Sequence, residues 1–82
     1  MTKKESILDC LIDSDEAKTQ IVEFFKYINE PITEQEIDSL LEEMINEGLI
    51  IINKKWSNEH GEYPFSITQK GKSIWSKINK NN

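Results

Sequence analysis

The chain has 82 residues and contains no arginine, a single cysteine and a single histidine. Because structural zinc sites are usually built from four Cys or His ligands, this inventory excludes a Cys/His zinc set. Cys10 has no second cysteine in the chain to pair with, which is typical of proteins in a reducing compartment. The three glycines, Gly48, Gly61 and Gly71, lie too far apart for a phosphate-binding loop. We therefore expect neither a metal nor a cofactor.

Long apolar runs are also missing. The longest is the stretch 49–52, whereas a membrane-spanning helix needs about 20 apolar residues. The first residues lead into no apolar segment of the kind that a secretory signal carries. These features favour a cytoplasmic protein. The length allows one domain, 1–82, whose tail at 79–82 is expected to fray.

Catalytic groups are scarce as well. Cys10 lies within an apolar helical pattern, which is typical of a buried, unreactive thiol. His60 lies in Asn58-Glu59-His60-Gly61, a sequence typical of an exposed turn. Paired catalytic carboxylates would need a cleft, which domains of this size rarely have. The sequence therefore predicts a protein that is not an enzyme.

Two helices are predicted in the first part of the chain. Thr2-x-x-Glu5 is a capping box, and the apolar residues that follow it form one stripe of a short helix. That helix is expected to end near Asp13-Ser14, which can cap a second helix over about Asp15–Ile28. Pro31 disfavours helical geometry at the preceding residue, so the second helix must end by about Asn29.

The third helix has the clearest signals and is predicted over about Glu34–Glu47. Thr33-x-x-Glu36 is a second capping box, and Gly48 provides a left-handed cap at the other end. The apolar residues between the caps recur at offsets of 3 or 4 and form one face, as a buried helix stripe requires. They are Ile37, Leu40, Leu41, Met44 and Ile45.

The residues after Gly48 predict a β-hairpin and a last helix. The segment 49–56 is rich in β-branched residues, 57–61 is a turn cluster, and 63–68 alternates between apolar and polar residues. Pro64 lacks an N–H and indicates an open edge on the second strand. Thr68 is expected to cap the final helix, which carries Trp75 on its apolar face. The predicted fold class is therefore α+β and mostly helical.

This order, and two stretches within it, resemble the winged helix-turn-helix family. ITEQEIDSLLEEMINEGLI (32–50) is similar to the third helix and first wing strand of such domains. FSITQKGKSIW (65–75) is similar to the second wing strand and final helix of MarR- and PadR-type regulators. The resemblance implies a three-helix core, a two-stranded β-hairpin wing and a short C-terminal helix. It also implies a third helix that enters the major groove of DNA and a wing that touches phosphates.

Charge is unevenly distributed along the chain. Residues 1–52 hold 13 acidic and 4 basic residues, whereas residues 53–82 hold 2 acidic and 6 basic ones. The predicted third helix carries six acidic residues and no lysine. Carboxylates near a helix C-terminus, such as Glu43 and Glu47, each cost about 0.3–1 kcal/mol at low salt. The acidic helix is either a solvated surface or an anionic binding face.

The first functional hypothesis is a protein-binding winged helix. Its acidic third helix would dock on a basic protein, such as a toxin, a nuclease or a nucleic-acid-binding protein, steered by opposite charge. By analogy of size and charge, this hypothesis favours a small inhibitor or immunity-type protein. Nucleic acid is the less favoured partner, because the carboxylates would repel phosphates. The candidate partner-binding residues are Glu36, Asp38, Glu42, Glu43, Glu47 and Trp56.

The second hypothesis is a DNA-binding transcriptional regulator, which would need to dimerise through the first and last helices for affinity; the sequence leaves monomer or homodimer undecided. Such a regulator would use a lysine-bearing wing for phosphates and polar side chains of the third helix for base edges. Its candidate residues are Gln35, Ser39, Lys54, Lys55 and His60. Trp56 is either an exposed anchor or packs on Tyr63 across the hairpin.

Overall fold

The computed structural model describes residues 1–80, with side chains for residues 1–79. Within these residues the chain forms four helices and one two-stranded antiparallel sheet. The elements are α1 (Lys3–Leu11), α2 (Lys18–Tyr27), α3 (Glu34–Asn46), β1 (Ile50–Ile52), β2 (Phe65–Ile67) and α4 (Gln69–Lys80). The expected order of three helices, a hairpin wing and a C-terminal helix is confirmed.

The core lies where the apolar stripes of the first three helices meet. Ile7 of α1, Phe25 of α2 and Met44 of α3 are fully buried there. The hairpin closes one side of this core through Leu49 and Ile50, and α4 packs against it with half-buried side chains. The other members of the core cluster are Leu8, Leu11, Ile21, Ile37 and Leu41.

Two threonines begin helices as expected, but only one capping box is complete. In α1 the Glu5 N–H donates to Thr2 Oγ1 at 3.2 Å, and the Thr2 N–H donates to Glu5 Oε1 at 2.7 Å. In α3 the Glu36 N–H donates to Thr33 Oγ1 at 3.1 Å. The Glu36 carboxylate, however, binds the ammonium of Lys3 instead of reaching back to the cap amide. The ammonium is favoured because a charged donor makes a stronger hydrogen bond than a backbone N–H does. The predicted return bond from Glu36 to the cap amide is therefore wrong.

The second helix begins three residues later than predicted, because Asp15 and Glu16 form contacts with the hairpin instead of a first helical turn. Glu16 forms an isolated antiparallel bridge with Phe65, in which the Phe65 N–H donates to the Glu16 carbonyl at 2.8 Å. The Asp15 carboxylate accepts hydrogen bonds from Asn53 Nδ2 at 3.0 Å and Ser66 Oγ at 2.6 Å. The extended segment before α2 is thereby fastened to both sides of the hairpin.

Both α2 and α3 end in a Schellman motif, in which a left-handed residue follows the helix. After α3, Gly48 has φ 77°, and the Leu49 N–H donates to the Met44 carbonyl at 2.9 Å. After α2, Asn29 has φ 63°, and the Glu30 N–H donates to the Phe25 carbonyl at 2.8 Å. The predicted ends near Asn29 and at Gly48 are confirmed, and the cap at Asn29 explains the first of them.

The hairpin has shorter strands than predicted. Ile51 pairs with Ser66 at its centre, and the turn at 58–61 is closed by the Gly61 N–H donating to the Asn58 carbonyl at 3.0 Å. Pro64 accepts one hydrogen bond from the Asn53 N–H but cannot return one, so the ladder ends there. The second strand is an edge of the two-stranded sheet, as predicted, but Glu16 covers this edge at Phe65 through one isolated bridge.

The last helix begins at Thr68 as expected. Thr68 Oγ1 accepts from the Gly71 N–H at 3.1 Å and donates to the Gly48 carbonyl at 2.6 Å, which ties α4 to the end of α3. The helix continues through Lys80, so the first half of the segment expected to fray, 79–82, is helical. Residues 81 and 82 lie outside the described residues.

Substitution of Gly71 by alanine, which adds one methyl group, tests how closely α4 approaches the hairpin. A Cβ at this position would lie 2.3 Å from the Leu49 carbonyl oxygen and 2.8 Å from Ile67 Cγ1. Alanine is the better helix former by about 1 kcal/mol. We nevertheless expect Gly71→Ala to lower the free energy of unfolding by about 1–3 kcal/mol, because the added group overpacks the junction. Urea denaturation followed by circular dichroism measures this change.

The matched control is Ser73→Ala, an exposed position on the same helix. We expect the control to change the free energy of unfolding by less than about 0.5 kcal/mol. A Gly71→Ala variant that is as stable as the wild type would contradict the packing described for α4.

Candidate nucleic-acid interface

The exposed face of α3 lies opposite the buried residues Ile37, Leu41 and Met44. Gln35 and Ser39 lie on this exposed face, as the apolar spacing predicts. They are four residues apart and therefore neighbours on the helix surface. An amide and a hydroxyl side chain can both donate and accept hydrogen bonds, which is the chemistry that base edges require.

The wing places two lysines and a histidine in solvent. Lys54 and Lys55 follow β1 in a turn in which the Lys55 N–H donates to Asn53 Oδ1 at 3.0 Å. Neither lysine forms an ion pair with any side chain among residues 1–79. His60 is exposed at the tip of the hairpin. Lys54 and Lys55 therefore present positive charge that no carboxylate of the described residues pairs with, whereas His60 Nε2 lies 3.7 Å from Glu59 Oε1.

The turn at the wing tip is organised by the side chain of Asn58. Its Oδ1 accepts from the backbone N–H groups of His60 and Glu62, both at 2.9 Å. The Glu62 carboxylate in turn accepts from Thr19 Oγ1 at 2.6 Å and from Asn58 Nδ2 at 3.0 Å. These hydrogen bonds, that of Thr19 first, lower the pKa of Glu62. The bond to Thr19 also connects the wing to α2.

The two tryptophans have different environments. Trp56 is 49% exposed and Tyr63 is 47% exposed. Within the described residues the one aromatic ring pair is that of Phe24 and Phe25, so packing of Trp56 on Tyr63 is not found. Trp75 packs against the core, and its Nε1–H donates to Asp9 Oδ1 at 3.0 Å. Trp56 and Tyr63 are thus both exposed aromatic side chains of the wing.

Most of the carboxylates of α3 form ion pairs with lysines of other helices. Lys4 Nζ lies 2.8 Å from Glu43 Oε1 and 3.0 Å from Glu47 Oε1. These hydrogen bonds, that of Glu43 first, raise the pKa of Lys4. The C-terminal turn of α3 is also compensated by Lys70, whose Nζ donates to the Glu47 carbonyl at 2.8 Å.

The first turns of α3 are paired in the same way. Lys18 Nζ lies 2.8 Å from Asp38 Oδ1 and 4.0 Å from Glu34 Oε2. The hydrogen bond to Asp38 raises the pKa of Lys18. Together with the pair of Lys3 and Glu36, these contacts leave Glu42 as the α3 carboxylate without an ion pair in the described part of the chain.

Three lysines that pair with the α3 carboxylates were not among the residues predicted for the site. Lys3 and Lys4 lie in the first turn of α1, and Lys18 begins α2. The sequence signals only their positive charge, since their positions opposite α3 depend on how the three helices pack. The charges that compensate α3 come from lysines of α1, α2 and α4.

Other chemistry is limited. Cys10 is half-buried, and burial raises the pKa of its thiol to about 12, which agrees with the low reactivity expected of it. No group of three or more His, Cys, Asp or Glu side chains among residues 1–79 is arranged to hold a metal ion. No helix within residues 1–80 combines the length and apolar character needed to cross a membrane.

Comparison with solved structures identifies the fold. A PadR family transcription regulator from Clostridium difficile R20291 is 18% identical and has a TM-score of 0.82, over 96% of this chain and 84% of that chain. A transcriptional regulator from Clostridium thermocellum is 20% identical and has a TM-score of 0.79, over 96% and 78%. Bacillus subtilis PadR in complex with operator DNA is 19% identical and has a TM-score of 0.77, over 92% and 45%. No protein-family model and no curated protein matches the sequence.

These similarities confirm a PadR-like winged helix-turn-helix fold. The interpretation of the chain as a protein-binding inhibitor or immunity protein is contradicted, because the structural neighbours are transcription regulators and one of them holds operator DNA. This chain spans about half the length of that DNA-bound neighbour. The expected basic protein partner, and the ranking of nucleic acid below it, are corrected by the presence of operator DNA in that neighbour. The physical reason for the error is that counting charges on α3 alone omitted the lysines that pair with them.

The ion pairs of α3 give the stability of the protein a specific dependence on alkaline pH. The folded pKa of Lys4 is raised above 10.5, so its pairing contributes fully below pH 10.5 and is lost as the pH rises through the folded pKa. We expect the free energy of unfolding to fall more steeply above pH 10.5 in the wild type than in Lys4→Gln. Urea denaturation at a series of pH values measures both slopes.

The control for this experiment is Lys72→Gln, which removes the same charge at an exposed position of α4. Its slope should follow that of the wild type. Equal slopes for Lys4→Gln and the wild type would show that the pairs with Glu43 and Glu47 do not form in solution.

Proposed function

We propose that this chain is a DNA-binding transcription regulator of the winged-helix type. The observation that carries the proposal is the similarity to PadR in complex with operator DNA, which extends over 92% of this chain. In winged-helix proteins of this kind, the helix at the position of α3 enters the major groove. The proposed activity is binding without catalysis, in the cytoplasm, by a domain that comprises residues 1–82.

Gln35 and Ser39 are the proposed base-reading residues. Both are exposed on α3, and the carboxylates nearest to them in sequence, Glu34, Glu36 and Asp38, are engaged by Lys18 and Lys3. A glutamine amide can bind the N6 and N7 atoms of adenine in a bidentate manner, and a serine hydroxyl can bind any base edge. The arrangement therefore supports direct readout by the N-terminal half of α3.

Lys54, Lys55 and His60 are the proposed phosphate contacts. They lie on the exposed wing, and the hydrogen bonds of Asp15 hold this hairpin in a fixed position relative to α2. Lysine contacts to phosphates release counterions, so they contribute affinity that falls as salt rises. Trp56 lies on the same hairpin and adds an exposed aromatic surface next to these cations.

The proposed form that binds DNA is a homodimer that uses α1 and α4. A single domain of this size reads only a few base pairs, and two copies related by a two-fold axis would read two half-sites about 34–36 Å apart. This arrangement implies a palindromic target, whereas a monomer would select a single short site.

Selection from a random duplex library tests the proposal. We expect enrichment of a discrete palindrome that the wild type binds at about 150 mM salt, measured by fluorescence anisotropy. Gln35→Ala should weaken binding by about 1–3 kcal/mol and relax the preference at one position of each half-site. Lys54→Ala should weaken binding to all sequences alike and reduce the salt slope by about 0.9 per subunit.

Lys26→Ala is the matched control, because Lys26 is exposed on α2 and its ion pair lies within its own helix, at 3.4 Å from Glu23. It removes the same charge as Lys54→Ala and should leave the salt slope unchanged. If no duplex sequence is enriched, or if Lys54→Ala and Lys26→Ala behave alike, the proposed interface is incorrect.

A further inference from the structure

The carboxylates of α3 face a row of three lysines that belongs to other helices. We call Lys3, Lys4 and Lys18 the lysine row. Its members engage five of the six acidic side chains in and around α3, at both ends of the helix. The paired carboxylates are Glu34, Glu36, Asp38, Glu43 and Glu47. Pairing of this extent changes the electrostatic character of a helix that would otherwise carry only negative charge.

The pair closest to the proposed base-reading residues is that of Lys18 and Asp38. Asp38 immediately precedes Ser39 in the chain and lies three residues after Gln35, so it borders the face that would meet the bases. Lys18 approaches it to 2.8 Å, and the lysine side chain is only 28% exposed. The ammonium is therefore held against the protein surface and is not extended into solvent.

We propose that the lysine row partly neutralises the α3 carboxylates within the same chain, with three ammonium groups against five carboxylates, and thereby permits α3 to approach DNA. This inference rests on the proposed function, and it assigns the three lysines a role that acts through the carboxylates of α3. Lys3, Lys4 and Lys18 are positioning residues in this sense, since each is argued to act through the carboxylate with which it pairs.

An isolated carboxylate and a carboxylate in an ion pair differ in how strongly they repel a nearby phosphate. A carboxylate near a phosphate repels it with an energy that falls as the inverse of distance, whereas a close ion pair acts as a dipole whose effect falls faster. Ion pairs on a protein surface contribute little to folding, so removal of one lysine should lower the melting temperature by less than about 8 °C. The cost of losing a member of the row should therefore be visible in DNA affinity while the protein stays folded.

The experiment uses the duplex selected by the wild type and measures affinity by fluorescence anisotropy. We expect Lys18→Gln to weaken binding by about three- to tenfold at low salt, because Asp38 and the more distant Glu34 are left without their lysine near the phosphates. The loss should shrink as salt rises, since repulsion is screened. Lys26→Gln, which removes the same charge on the same helix, should weaken binding by less than about twofold.

A second substitution distinguishes neutralisation from a direct contact of Lys18 with phosphate. The double variant Lys18→Gln/Asp38→Asn removes one positive and one negative charge, so it restores the net charge of the wild type and leaves only Glu34, 4.0 Å from Lys18 in the wild type, without its partner. Under neutralisation, it should recover to within about twofold of the wild type. Under a direct contact, the double variant would stay weak, and its salt slope would fall by about 0.9 per subunit. Circular dichroism confirms that each variant is folded.

The outcomes separate this inference from the function on which it rests. If the wild type selects no duplex, the proposed function is overturned and the inference falls with it. If the wild type binds a duplex but Lys18→Gln matches Lys26→Gln, or if the double variant does not recover, only the role of the lysine row is overturned.

Discussion

The packing of α3 against α1 and α2 is the constraint on which the rest of the structure depends. Burial of Ile37, Leu41 and Met44 fixes the rotation of α3 about its own axis. That rotation turns Gln35 and Ser39 outward and brings the flanking carboxylates against lysines of α1 and α2. One apolar stripe therefore determines both which side chains are available to a ligand and which charges are neutralised internally.

The charge of α3 shows why composition and arrangement must be considered together. Six carboxylates in and around one helix suggest an anionic surface, and they favoured a basic protein partner. The ion pairs of Lys4 and Lys18 remove much of that surface, because a charge paired at 2.8 Å is compensated locally. Lys54 and Lys55 on the wing remain unpaired within residues 1–79. They therefore make a larger contribution to the charge that the domain presents to a ligand.

The wing is held in place by contacts that begin before α2. Asp15 binds both Asn53 and Ser66, and Glu16 pairs with Phe65, so the segment before α2 acts as a third, very short strand. Thr68 fixes the other side of the hairpin by binding the Gly48 carbonyl at the end of α3. The wing and α3 thus form one unit, which is the property that a two-part DNA interface requires.

The sequence by itself determined the features whose energy is local. The cap at Thr2, the left-handed Gly48 and the apolar stripe of α3 each depend on residues within one or two turns, and each lies where it was expected. Only the tertiary structure decided the start of α2, the bridge that covers the edge of the second strand and the partners of the α3 carboxylates. Lys4 and Glu47 are 43 positions apart, and the bridge of Glu16 to Phe65 spans 49. Contacts over such separations form because the core brings distant segments together, and no pattern within either segment records its partner.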